Sequence, residues 1–142
     1  MKTLLNESSF NVSVLSREGS TSTFPEGVKI VRANYDSPDS LKSAFDGVDA
    51  VISLVGSSSL GDQNKLVDAA IAAGVKRFLP SEYGSDTTNP RVNELSPIFG
   101  GKISTVDYLK SKESEISWSS IVTGVFFDWV GFEAGLSVSR IG

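Results

Sequence analysis

The chain has 142 residues, the length of one domain, and its 39% hydrophobic and 21% charged residues are typical of a soluble globular protein. Its net charge of -4 comes with scattered lysines and arginines, so no surface for nucleic acid is predicted. The absence of cysteine and histidine excludes disulfides, thiolate nucleophiles, Cys/His zinc sites and histidine-based catalytic triads.

The N-terminal run MKTLLNESSF begins like a secretion signal, with a lysine followed by two leucines. Its apolar part stops at Asn6, well short of the roughly 7–15 apolar residues that a signal needs. No segment approaches the roughly 18 apolar residues of a membrane span. We therefore expect a soluble, cytoplasmic chain without membrane contacts.

Strand and helix patterns alternate along the sequence. In chain order they predict strands at 11–15 and 27–31, then a helix that Ser37 caps, with Pro38 in its first turn, and that Gly47 ends. Next come a strand at 50–55, a helix at 60–73, a strand at 77–80, a helix at 99–115 and a strand at 118–123. The run AVISLV at 50–55 is apolar on both faces, as expected of a central strand covered by helices. This alternation predicts an α/β fold with a doubly wound parallel sheet, in a single domain spanning 1–142.

Candidate binding residues follow the first two strands, because ligands bind at the carboxyl ends of the strands in such sheets. Arg17 comes after the first strand, where a guanidinium suits the 2′-phosphate of NADP better than the ribose hydroxyls of NAD. A solvated loop arginine is an equally good interpretation. Asn34 and Tyr35 follow the next strand, where an adenine would lie, although an ordinary strand-to-helix turn explains them too.

Two further loops contain candidate functional residues. Ser53, Val55 and Gly56 stand at the end of the central strand, where a glycine lets the backbone approach a ligand closely. Small polar residues after a buried strand are nevertheless common in α/β proteins. In the second loop, PSEYG, Glu82 and Tyr83 have no histidine or second base to act with, so a structural role is expected for them.

The most specific pattern is the run GDQNKLVDAAIAAGVKRFLPSEYGSD, with DAVISLVG before it and SIVTGVFFDW after it. On these motifs the chain resembles the NmrA-like and isoflavone-reductase-like family of atypical short-chain dehydrogenases, particularly its fungal branch. The resemblance extends from about Leu4 to about Trp129. It implies a Rossmann-like fold, NADPH as cofactor and, in the reductase members, hydride transfer to phenolic or related small organic substrates. It also matches Arg17 to the family's 2′-phosphate arginine.

Lys102 matches the lysine that the family's reductases carry on the helix after the PSExG strand. The resemblance implies that Lys102 is both catalytic and cofactor-binding. An ammonium group beside the nicotinamide ribose can anchor that ribose, lower a nearby pKa, and polarise or protonate an oxygen as hydride arrives. A solvent-facing helix lysine is the alternative interpretation.

A second pattern, Tyr108 to Lys112, matches the YxxxK signature of short-chain dehydrogenases. We reject it on position, because Lys112 would lie about 15 Å along the helix from Lys102, at the end remote from the strand ends. Ile98 stands four residues before Lys102, so the phenol of the usual dyad is absent there.

The family's glycine-rich turn, GxxGxxG, does not occur in this sequence. That turn and the helix after it bind the pyrophosphate. The strand before it is central in the strand order 3-2-1-4-5-6 of the fold. We therefore expect strands 11–15 and 50–55 to pair directly, to leave a gap, or to find another strand. The family pattern fades after about Trp129, so a truncated form that also lacks the C-terminal substrate lobe is expected.

Two functional hypotheses remain open. In the first, the chain is the NAD(P)-binding domain of an NADPH-dependent reductase with an unidentified small-molecule substrate. In the second, it is a non-catalytic NAD(P)-binding regulatory module with a protein partner, or an inactive fragment, and Lys102 is only structural.

Overall fold

The structure is a computed structural model that describes residues 2–7, 9–95 and 99–124. Parallel strands alternate with helices over these residues. The helices are α1 (Lys2–Asn6), α2 (Pro38–Ala44), α3 (Gln63–Ala72), α4 (Pro90–Leu95) and α5 (Gly100–Ser111), with a 3-10 helix at Ser57–Asp62. The strands are β1 (Ser13–Arg17), β2 (Lys29–Ala33), β3 (Ala50–Ile52), β4 (Arg77–Leu79) and β5 (Ser117–Trp118).

The strands form two parallel sheets. In the first, β1 pairs with β2, and Leu15 lies opposite Val31. In the second, β4 lies between β3 and β5, so that Phe78 is flanked by Val51 and Trp118. Within the described residues no ladder joins β1 to β3, so the gap is the outcome observed among the three that the sequence left open. The predicted α/β class with parallel strands is confirmed.

One hydrophobic core lies between the helices and the sheets. It is built from side chains that are at most 9% exposed, and Val51, Phe78, Leu66, Val67 and Leu109 are among them. Leu66, Val67 and Ala70 lie on one side of α3 because residues three and four apart share a helix face. The core therefore fixes α3 and α5 against the second sheet.

Capping residues set the start of α2 and the end of α3. The Ser37 hydroxyl accepts a hydrogen bond from the Ser40 amide, so the predicted cap of α2 is confirmed. At the end of α3, Gly74 has a φ of 77°, and the Val75 amide donates to the Ala70 carbonyl at 2.9 Å. This is the Schellman arrangement, in which glycine tolerates the left-handed conformation.

Several sequence predictions need correction. The first two strands lie two residues later than predicted, so Arg17 is the last residue of β1 and does not follow it. The residues predicted to begin the helix at 60–73 form the 3-10 helix, and α4 was not predicted. The last two predicted elements are shorter, since α5 ends at Ser111 and β5 has two residues.

The largest correction concerns the central strand. It was predicted at 50–55 with both faces covered, whereas β3 has three residues, and Ile52 and Leu54 are 46% and 69% exposed. These two side chains alternate with the buried Val51 and Ser53, and so point to the opposite face. Over the described ranges no helix covers that face at Ile52 and Leu54. Residues 125–142, which include the FFDW segment, lie outside the described residues.

Candidate functional site

The carboxyl ends of β1 and β3 lie on the same side of the molecule. Arg17, the last residue of β1, hydrogen-bonds to Ser59 and Asp62, which belong to the 3-10 helix that follows β3. Ligands of parallel α/β sheets bind at this edge. This edge is therefore the candidate site.

Arg17 is held in a defined position although its side chain is 51% exposed. Its guanidinium donates to the Ser59 hydroxyl and, at 3.1 Å, to Oδ2 of Asp62. The same group lies over the Tyr35 ring, 5.2 Å from the ring centroid, as in a cation–π contact. The structure thus brings together Arg17 and Tyr35, two of the predicted cofactor-binding residues. Burial raises the pKa of the Tyr35 phenol, and the Arg17 charge opposes that rise.

Lys65 extends this cluster to a second carboxylate. Its Nζ lies 2.9 Å from Oδ1 of Asp36 and 3.6 Å from Oδ1 of Asp62. The hydrogen bond and charge of Lys65 lower the pKa of Asp36, and Asp36 in turn raises the pKa of Lys65. We call Arg17, Asp36, Asp62 and Lys65 the charged cluster; its formal charges sum to zero.

Asn34 lies next to this cluster but has a structural task. Its side-chain oxygen accepts a hydrogen bond from the backbone amide of Asp36 at 2.9 Å. Its backbone amide donates to the Ser40 hydroxyl at 3.1 Å. This is an Asx turn that connects β2 to α2. The contacts of Asn34 therefore match the ordinary-turn interpretation.

The residues at the end of β3 occupy three different environments. Ser53 is 4% exposed, and its hydroxyl has no hydrogen-bond partner among the described residues. The Val55 carbonyl accepts from the Ser81 hydroxyl at 2.9 Å. Gly56 is exposed, precedes the 3-10 helix, and has open space where a Cβ would stand. A ligand could approach the backbone there.

A buried glutamine connects the loop after β4 to two helices. Gln63 is 0% exposed; its carbonyl oxygen accepts from the Ser81 amide at 2.8 Å, and its amide donates to Thr105 at 3.4 Å. Thr105 lies on α5 and also donates to the Gly101 carbonyl at 3.0 Å. Gln63 therefore fixes the start of α3, the loop after β4 and the first turns of α5 relative to each other.

Lys102 and Glu82 form the centre of this region. The Lys102 ammonium donates to the backbone carbonyl of Glu82, in the loop that follows β4. The Glu82 carboxyl is 1% exposed; Oε2 accepts from the Thr87 hydroxyl, whereas Oε1 has no partner in the described part of the chain. Burial raises the pKa of Glu82, while the Thr87 hydrogen bond and the Lys102 charge oppose the rise. We call Gln63, Ser81, Glu82, Lys102 and Thr105 the buried polar network; all of them are buried except Lys102, which is half-buried.

The backbone beside Lys102 is strained. Tyr83 has a φ of 27°, in the region that favours glycine, and such strain is found preferentially at functional sites. At Gly84, a Cβ would stand 3.4 Å from the Glu82 carbonyl oxygen and 3.6 Å from Lys102 Nζ. The loop thus leaves room for the ammonium group at the carboxyl end of β4.

The YxxxK pattern lies elsewhere on α5. The Tyr108 hydroxyl donates to Asp68 on α3, and Lys112, just after the last residue of α5, pairs with Glu115 at 2.9 Å. These groups form a surface ion cluster between α3 and the end of α5. Ile98, which takes the place of the usual phenol, lies outside the described residues.

An open cleft of about 310 Å³ lies between the 87–90 loop and α5. Polar and charged side chains, including Asp107 and Lys110, line much of it. Lys102 does not line this cleft, whereas Thr87, which hydrogen-bonds to the Glu82 carboxyl, does. No cluster of acidic residues that could hold a metal ion occurs among the described residues. Nor does any helix in those ranges have the length and apolar character needed to cross a membrane.

Comparison with known proteins now decides the family, because a family model described as "NmrA-like family" matches residues 2–130. The chain belongs to the NmrA-like family. Among curated members, oxidoreductase aprR of Aspergillus flavus is 38% identical to this NmrA-like chain over 122 residues, covering 84% of the chain and 41% of the relative. Isoflavone reductase homolog P3 of Arabidopsis thaliana is 40% identical over 119 residues, covering 78% of the chain and 37% of the relative. The NmrA-like chain thus spans about two fifths of the length of these relatives.

Solved structures agree with this assignment. AtPrR2 with NADP+ and (+)pinoresinol matches the NmrA-like chain with a TM-score of 0.63 and 31% identity, over 82% of this chain and 38% of that one. The binary complex of leucoanthocyanidin reductase with NADPH from Vitis vinifera gives a TM-score of 0.56 at 31% identity, over 68% and 34%. The predicted Rossmann-like class is therefore confirmed for this NmrA-like chain.

Sequence reasoning missed several residues that the structure places in the site. Asp62 and Lys65 were counted only as part of a helix, although their spacing of three residues after a polar loop is a signal for a charged pair on one helix face. Glu82 was expected to be structural, and its hydrogen bond to Thr87 agrees with that. Nothing in the sequence indicates that Oε1 of Glu82 lacks a hydrogen-bond partner among the described residues.

Proposed function

We propose that this chain forms the NADP(H)-binding part of a reductase that acts on small phenolic-type substrates. The observation that carries the proposal is the placement of two cations at one edge of the parallel strands. Arg17 ends β1, and Lys102 lies against the loop that follows β4. A cofactor lying across the carboxyl ends of the strands would contact both.

The residues present fit two parts of NADP(H). Arg17 offers a guanidinium fork for the 2′-phosphate. The half-buried Tyr35 contacts Arg17 and follows β2, where the adenine is expected to lie. The buried Ser53 hydroxyl lacks a partner within the described ranges, so it could hydrogen-bond to the part of the cofactor that lies over the carboxyl end of β3. Gly56 has open space where a Cβ would stand, so the pyrophosphate could approach the backbone there.

When bound, NADPH supplies the hydride for reduction. The part proposed for Lys102 is to hold a proton at Nζ, to hydrogen-bond the ribose, and to donate to a substrate oxygen that gains negative charge. The Glu82 carbonyl holds the ammonium in place for that role. Phenolic substrates are inferred from relatives, since the names of AtPrR2 with (+)pinoresinol and of the leucoanthocyanidin reductase complex refer to such compounds.

The test begins with NADPH titrated into the purified chain, followed by cofactor fluorescence. Turnover is then measured as NADPH oxidation with pinoresinol as the test substrate. Lys102→Ala should abolish turnover and largely preserve NADPH affinity. Lys110→Ala is the matched control, because Lys110 lies on the same helix, is exposed and, among the described residues, forms an ion pair with Asp107 alone, at 3.1 Å.

The outcomes separate the parts of the proposal. Absence of saturable NADPH binding would overturn it. Binding without turnover by the unmodified chain would contradict the reductase assignment and favour a cofactor-binding module. An unchanged rate in Lys102→Ala would exclude a catalytic Lys102.

A further inference from the structure

The charged cluster contains an anion at the position where a phosphate would bind. Asp62 Oδ2 accepts from the Arg17 guanidinium at 3.1 Å, and Ser59 accepts from the same nitrogen. Carboxylate and phosphate bind the arginine fork through the same N–H groups. A 2′-phosphate therefore has to displace Asp62 from Arg17 or share Arg17 with it.

We propose that Asp62 is a specificity-determining residue that competes with the 2′-phosphate for Arg17 and so weakens the preference of this chain for NADP(H) over NAD(H). The inference rests on the proposed function. It concerns only the adenosine end of the cofactor.

Lys65 makes it feasible for a phosphate to replace Asp62 as the partner of Arg17. It lies 3.6 Å from Asp62 and 2.9 Å from Asp36, so Asp62 keeps a cationic partner after it releases Arg17. Leaving a carboxylate without a partner would add a further cost, and Lys65 removes most of it. Moving the Asp62 side chain away from Arg17 leaves α3 intact, because that side chain makes no capping hydrogen bond to the helix.

Charge balance gives the direction of the effect. The four groups of the charged cluster are neutral in sum, whereas neutralising Asp62 leaves a net positive charge at Arg17. A phosphate monoester carries about −1.5 to −2 at neutral pH and gains from that change, while an uncharged ribose hydroxyl does not. Asp62 also offers a hydrogen-bond acceptor of the kind that favours the ribose hydroxyls of NAD.

The experiment uses Asp62→Asn, which keeps the size of the side chain and removes its charge. Asp49→Asn is the matched control: Asp49 also sits in an exposed ion pair, 2.6 Å from Lys76, and lies just before β3, at the opposite end of the strand from the charged cluster. Both variants change the net charge by the same amount. Calorimetric titration compares adenosine 2′,5′-bisphosphate with adenosine 5′-phosphate, and NADPH with NADH.

We expect Asp62→Asn to raise the affinity for the 2′-phosphate ligands relative to their unphosphorylated counterparts by about two- to fivefold, the range of one exposed ion pair. Asp49→Asn should leave that ratio unchanged. An unchanged or lowered ratio in Asp62→Asn, an equal rise in Asp49→Asn, or no binding of the bisphosphate to Asp62→Asn would overturn the inference.

The bisphosphate keeps this result separate from the proposed function, because it requires neither Lys102 nor a pyrophosphate site. If Asp62→Asn discriminates the two adenosine ligands while NADPH is neither bound saturably nor oxidised, only the proposed function fails. If NADPH is bound and oxidised but the ratio does not move, only the role of Asp62 fails.

Discussion

The buried polar network and the charged cluster lie at the same edge of the molecule but differ in solvent exposure. Gln63, Glu82 and Thr105 are at most 1% exposed, whereas the paired side chains of Arg17 and Lys65 are about half exposed, at 51% and 50%. Buried hydrogen bonds are costly to lose, while exposed ion pairs are screened by water and salt. We therefore expect Gln63, Glu82 and Thr105 to determine stability and the charged cluster to determine which ligand binds.

The largest effect is expected at Gln63. Gln63→Ala leaves the buried Ser81 amide without its acceptor, which costs about 1–3 kcal/mol of unfolding free energy, and adds a cavity at a site with no exposure. Urea unfolding measures the loss. Gln63→Met, which fills the volume but accepts no such bond, separates the two contributions. If both variants were as stable as the unmodified chain, Gln63 would not connect these elements.

The next effect is expected at Gly101, which brings α5 against the 3-10 helix. A Cβ at this position would stand 2.8 Å from Leu60 Cβ, so Gly101→Ala requires a backbone shift and should cost about 1–3 kcal/mol. Gly100→Ala is the control, because nothing lies within 4 Å of a Cβ there, and it should be neutral or gain up to about 1 kcal/mol from helix propensity. Equal melting temperatures of the two variants would show that the contact is not tight in solution.

A pH-dependent effect is expected at Glu82. Its raised pKa means that the folded chain keeps this proton to higher pH than the unfolded chain does. The stability that results is present below the ordinary glutamate pKa of about 4.3 and is lost as the pH rises through the folded pKa. Glu82→Gln should therefore melt higher than the unmodified chain at neutral pH, with a difference that closes in acid.

Thermal melts across this pH range test the Glu82 prediction. The exposed Glu18→Gln is the control and should leave the pH profile unchanged. A difference between Glu82→Gln and the unmodified chain that grows toward low pH would contradict the expected direction of the effect.

The smallest effect is expected in the charged cluster. Asp36 pairs with Lys65 at 2.9 Å, but its side chain is 87% exposed. Its pKa is lowered by Lys65, so any contribution to stability exists above the ordinary aspartate pKa and is lost as the pH falls through the folded value. Asp36→Asn should leave the melting temperature at neutral pH unchanged within error, at low and high salt alike. A loss comparable to that of Gln63→Ala would remove the distinction between the two groups.

Local sequence signals predicted the parts of the fold that depend on neighbouring residues. The cap at Ser37, the end of α3 at Gly74 and the alternation of strands and helices follow from short-range hydrogen bonding and side-chain periodicity. The specific PSEYG-containing run also identified the family, which the match over residues 2–130 confirmed. The roles of Arg17 and Lys102 in binding a cofactor stay predictions, because nothing yet tests them.

The sequence by itself thus determined the α/β class, the family and the order of strands and helices, although the ends of β1, β2 and β3 differ from the predicted ones by two or three residues. Only the tertiary structure decided which site residues contact each other, because the partners lie far apart in the chain: Arg17 and Asp62 are 45 residues apart, and Gln63 and Thr105 are 42 apart. It also decided that Ile52 and Leu54 are exposed, since the burial of a strand face depends on which helices pack against it. The Glu82 oxygen that has no partner within the described ranges has the same origin, because the burial of Glu82 depends on residues that are distant in sequence.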